Sequence, residues 1–123
     1  MRRASALALL SVYALAACAP KAQPAPAALD CRQPFEALKA KITSQPGLNA
    51  APPEPGEPYR VYSSADGQAS WFVTEPGAPA HPAILMQQVK PGGGMANSGC
   101  AYGDKAAYEQ LMAYLASLKA GRK

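Results

Sequence analysis

Four side chains carry most of the chemistry open to this sequence: His81 and the cysteines Cys18, Cys31 and Cys100. His81 is the single histidine and stands in Ala80-His81-Pro82. A hydrolytic triad would pair it with a nucleophile and an acid. Ser63, Ser64, Ser70 and Ser98 offer hydroxyls, and Asp66 and Asp104 offer carboxylates. None of these serines stands in a Gly-x-Ser-x-Gly elbow, the turn that would present the hydroxyl to a substrate. A structural or surface role suits His81 better than catalysis. One histidine with Cys31 and Cys100 gives too few ligands for zinc. The glycines Gly92, Gly93 and Gly94 lack the Gly-Lys-Ser/Thr that a phosphate loop needs, and read as a mobile loop. Glu54 and Glu57 share a proline-rich segment whose pattern fixes no carboxylate separation. No catalytic residue, metal site or cofactor is expected.

The amino terminus is more informative. Met1-Arg2-Arg3 is followed by an apolar run, Ala4 to Ala17. A charged start and an apolar stretch of this length form a secretory signal. The stretch falls short of the roughly 20 residues that a spanning helix requires. It ends in Leu15-Ala16-Ala17-Cys18. At this point the sequence resembles bacterial lipoprotein precursors, whose lipobox is an aliphatic residue, two small residues and a cysteine. The resemblance covers only residues 1–18. It implies a signal peptide over 1–17, cleavage before Cys18, a diacylglyceryl group on the Cys18 thiol, and acylation (palmitate, for example) of the new amino group. An ordinary secretory cut after Ala16 or Ala17 is the simpler alternative. Ala19, where an Asp would favour retention in the inner membrane, points by the same resemblance to the outer membrane.

Export to an oxidising compartment in turn gives Cys31 and Cys100 a reason to pair as a disulfide; two buried free thiols are the alternative. The two lie far apart in sequence and form no Cys-x-x-Cys, which argues against a redox-active pair.

Composition sets further bounds. Twelve basic and eight acidic residues give a net charge of +4 over 123 residues. Loss of Arg2 and Arg3 with the leader leaves about +2. The basic residues are scattered rather than striped, so a nucleic-acid partner is not expected. The length suits one small domain, here residues 30–123, behind a lipidated cysteine and Pro/Ala-rich linker over 18–29. At ~3.1 Å per residue such a linker reaches ~30 Å when extended.

The elements that would position these groups follow from periodicity. Phe35, Leu38 and Ile42 repeat on one helical face, which predicts a helix over 33–43. Residues 46–58, dense in proline and glycine, predict an irregular loop, with recognition by an aromatic groove as a rarer use. Residues 59–63 and 69–74 predict two strands joined by an Asp66-Gly67 turn. Residues 83–90 predict a third strand and 91–103 a second glycine-rich loop. Asp104 predicts an N-cap for a helix over 105–119, with Tyr108, Leu111, Met112, Leu115 and Leu118 on its apolar face.

The expected architecture is α+β: a three-stranded antiparallel sheet, the last helix on one face, and the first helix docked nearby. A disulfide would bring the two helix starts together. The hairpin aromatics Tyr59, Tyr62, Trp71 and Phe72 would form core on a covered sheet face, the commoner fate of such rings; on a face left partly open, Tyr59, Tyr62 and Trp71 with His81 would form an interaction surface. The leading reading is a lipid-anchored envelope protein with a non-enzymatic binding module, its partner an envelope protein or the cell wall. The alternatives are a small periplasmic hydrolase centred on His81, and a ligand-binding or inhibitor lipoprotein with the glycine-rich loop as lid.

Overall fold

The computed structural model describes residues 26–121. The leader, Cys18 and linker residues 18–25 lie outside the described residues. Seven elements follow in order: α1 (Phe35–Thr43), β1 (Asn49–Ala50), β2 (Tyr59–Ser63), β3 (Ala69–Thr74), β4 (Ala83–Val89), β5 (Met95–Ala101) and α2 (Lys105–Gly121). The strands form one sheet in the order β1-β2-β3-β4-β5, each antiparallel to its neighbour. The class is α+β with two helices, but the sheet has five strands rather than three.

The two extra strands lie where the sequence predicts loops. β1 is a two-residue edge strand, Asn49 opposite Ser63 and Ala50 opposite Tyr62, too short to leave a pattern. β5 runs through Met95-Ala96-Asn97-Ser98-Gly99-Cys100-Ala101 and pairs with β4 from Ala83↔Ala101 to Val89↔Met95. Its side chains are small or polar, so it carries little strand propensity of its own. Pairing with the strongly apolar β4 overrides that preference. Gly92, Gly93 and Gly94 all have positive φ and form the β4–β5 turn, closed by Lys90 N–H donating to Gly94 O at 3.0 Å. They are a hairpin connection, not a lid.

Strand alternation divides the core in two. Trp71, Val73, Ile84, Met86 and Cys100 point to one face and pack against Phe35, Leu38 and Ile42 of α1. Tyr59, Phe72, Ala83 and Leu85 point to the other and meet Leu115 of α2. The helices therefore cover opposite faces of the sheet, rather than sharing a side. Burying a side chain such as Ile84 or Leu115 contributes about 1.5–3 kcal/mol. Trp71 sits at the centre of the α1 side, fully buried, with its indole Nε1–H unpartnered among the described residues.

Local chemistry sets the helix ends. The Asp104 carboxylate accepts Ala106 N–H at 3.2 Å and caps α2. Pro34 precedes α1, where its missing N–H costs no helical bond, and its carbonyl accepts Leu38 N–H at 3.0 Å. The end of the predicted linker is docked rather than loose: Ala27 and Leu29 pack on the α1 core, and Ala27 N–H donates to Gln45 Oε1 at 3.0 Å.

Candidate functional site

Cys31 and Cys100 form a disulfide, with Cα atoms 5.3 Å apart. Cys100 lies on β5 rather than in a loop, so the bond fastens the chain before α1 to the last strand of the sheet. The link does bring the two helix starts to one end of the molecule. Tyr102, just before α2, donates its hydroxyl to the carbonyl of Gln33, just before α1.

His81 is only partly exposed and is engaged locally. Its Nδ1 lies 3.1 Å from the carbonyl oxygen of Thr74, which can only accept, so the proton sits on Nδ1. The Thr74 hydroxyl is buried and accepts Ala83 N–H at 2.8 Å while donating to Ala83 O at 3.0 Å. The same hydroxyl stands 3.0 Å from Nδ1. One threonine thereby holds the imidazole and the first residue of β4 together. Phe35 meets the ring edge-on, with centroids 5.2 Å apart. Among the described residues no serine or carboxylate hydrogen-bonds this imidazole, so the hydrolase alternative finds no assembled triad here.

The hairpin aromatics do not form an open surface. Trp71 is fully buried, Tyr59 is 5% exposed, and Tyr62 is half-buried against the α1 core. The reason is packing: α1 covers Trp71 and borders Tyr62, and Tyr59 and Phe72 cluster with Leu115 of α2, which leaves only part of the hairpin's α2-side face accessible. Tyr59 instead stacks edge-on against Phe72, with centroids 5.3 Å apart. Its phenol is pushed above the ordinary tyrosine range, chiefly by burial and further by nearby Tyr114, Glu57 and Glu54.

That neighbourhood is the most site-like part of the molecule. The proline-rich segment between β1 and β2 stands beside α2 without closing on it. The gap is a groove of about 600 Å³ over the sheet, floored by Val61 and Phe72 and walled by Tyr114 and Leu118 on one side and Glu54 and Glu57 on the other. A second hollow, of about 510 Å³, shares Glu54, Glu57, Tyr59 and Tyr114 with the first. Tyr114 is 52% and Leu118 39% exposed, so Leu118 lines this groove instead of joining the core as its spacing suggests. Sequence pattern leaves Tyr114 unmarked, although it stands i+3 from Leu111 and i−4 from Leu118. Nothing in the sequence shows that the proline-rich segment returns alongside α2.

Among the described residues no cluster of His, Cys, Asp and Glu is suited to a metal ion. No helix among them is long and apolar enough to cross a membrane. Cys18, the predicted lipid attachment point, lies outside the described residues. Comparison with family models, curated proteins and solved structures gives no match for this chain.

Proposed function

We propose that the chain is a lipid-anchored protein of the bacterial cell envelope, held through Cys18 in the outer membrane, whose folded part is a non-enzymatic binding module. The observation that carries the anchor is the uninterrupted match of Leu15-Ala16-Ala17-Cys18 to a lipobox behind a charged and then apolar leader. The disulfide between the other two cysteines supports it, since such bonds persist in oxidising compartments. The binding role is supported by the open groove beside α2, and by a histidine already committed to Thr74. A single acyl chain holds a protein only marginally, so two or three chains on Cys18 would make the attachment stable.

The test is metabolic labelling with an alkyne-bearing fatty acid in a Gram-negative host, comparing wild type with Cys18→Ser. Label on the wild-type chain, recovery with the outer membrane, and loss of both in the variant are expected. An unlabelled wild-type chain would refute the anchor. For the binding role, in-cell cross-linking of the wild-type chain should give a discrete adduct with an envelope component. Its absence, with the chain correctly anchored, would count against a binding module.

A further inference from the structure

We infer that the groove between the proline-rich segment and α2 receives a basic peptide segment of another protein. This rests on the reading of the domain as a binding module and names the partner chemistry. Charge is the first argument. Among the described residues Glu54 and Glu57 line both hollows, and no lysine or arginine lines either. In a chain with a net charge of +4 this is a locally negative surface. It attracts cations and repels acidic partners.

Shape and polarity narrow the class further. Tyr114 and Leu118 are two of the three large apolar side chains left exposed among the described residues, and both lie on the groove wall. A cationic group entering here meets the carboxylates and the face of Tyr114, a pairing that favours lysine and arginine. The apolar floor of Val61 and Phe72 takes the neighbouring side chains. A peptide supplies both within a few residues, whereas a simple polyamine or a sugar chain supplies only the polar part. The groove is partly open to solvent, which leaves an extended segment a way in. Pro52, Pro55 and Pro58 stiffen its outer wall, so little chain entropy is lost on binding.

The test uses the full lipidated chain in a non-ionic detergent, labelled for amide NMR. The probe is a short peptide of repeated Lys-Pro-Val, run beside the same peptide with Glu in place of Lys. The basic peptide should shift amides in 54–59 and 111–118, bind more weakly as salt rises, and lose about five- to tenfold in affinity in the double variant Glu54→Gln/Glu57→Gln. An unchanged emission maximum for Trp71 shows that the variant is folded. Equal binding of the acidic peptide, shifts confined to the α1 face, or unchanged affinity in the double variant would overturn the inference. So would the same amides shifting on concentration of the chain alone, or with a soluble cell-wall fragment but not with the basic peptide. Those last two results name another occupant and leave the binding module standing; that reading fails separately, in the cross-linking experiment.

Discussion

The Tyr102 hydroxyl donates a 2.7 Å hydrogen bond to the carbonyl of Gln33. It lies one step from the Cys31–Cys100 disulfide, since both partners are two residues further along their segments. Covalent and hydrogen-bonded rungs thus fasten the same entry segment to the same end of β5. Tyr102→Phe should cost about 1 kcal/mol, the usual net worth of such a bond. Removing the disulfide, with its sequence separation of 69, should cost about 2–4 kcal/mol. Because each rung orders the segment the other uses, the costs should not add. Urea melts of wild type, Tyr102→Phe, Cys31→Ala/Cys100→Ala and the combination would measure this. The tyrosine should matter less by at least ~0.5 kcal/mol once the disulfide is gone.

Thr74 provides a sharper test of the buried polar network. Its hydroxyl satisfies both backbone groups of Ala83 and is itself buried. Thr74→Val keeps the shape but strands a buried N–H and C=O, at a cost of about 2–3 kcal/mol. Thr74→Ser keeps the bonds and should cost less than half as much. In the wild-type chain, nitrogen NMR of His81 should show the proton on Nδ1 at neutral charge. A proton on Nε2 would contradict the geometry.

The parts of this fold that the sequence discloses are those with a strong local rule. The Asp66-Gly67 hairpin is an example: Asp66 Oδ1 accepts the Ser64 hydroxyl at 2.7 Å and Gln68 N–H at 3.0 Å, and Gly67 takes φ 73°. These bonds hold the Asp66 carboxyl below its ordinary pKa, the Gln68 amide most of all. The period-two split of Trp71 and Val73 from Phe72 likewise predicts the two core faces. β5 is hidden because its partner β4, not its own residues, makes it a strand. The groove is hidden for a different reason: it is made by Glu54 and Tyr114, whose approach depends on the path of the whole sheet between them. For Trp71 the alternation marks a face but leaves core and surface both open, because facing alone does not determine burial; α1 decides it by covering that face.

Gly99 lies under the ring of Tyr108. A Cβ there would collide with the Tyr108 hydroxyl and come within 2.9 Å of the Ile84 carbonyl oxygen. The glycine is needed for space rather than for backbone conformation, since no positive φ is involved. Gly99→Ala should destabilise by about 1–3 kcal/mol, as overpacking does. Adding Tyr108→Phe removes the hydroxyl and should recover part of the loss, while the Ile84 contact keeps the recovery incomplete. Thermal melts of the two single variants and the double variant would show this as non-additive coupling. Simple additivity would mean that α2 shifts away from β5 instead.

Alkaline pH should expose the buried phenols. Tyr59, Tyr102 and Tyr108 are all raised above the ordinary tyrosine value near 10, in each case mainly because burial disfavours the phenolate. A raised folded-state pKa means that the folded chain holds more protons than the unfolded chain in the alkaline range. Stability then falls with rising pH there. Their contribution is complete below the unfolded value and is lost as pH rises through the folded values. For Tyr102 ionisation also removes the proton given to Gln33. Urea melts through the alkaline range should therefore show a decline that begins near pH ~10 and is smaller in Tyr59→Phe. Glu54 and Glu57 add to the shift of Tyr59, so Glu54→Gln/Glu57→Gln should bring its phenolate absorbance in at lower pH. An unmoved titration in that double variant would place the two carboxylates too far from Tyr59 to share a groove with it.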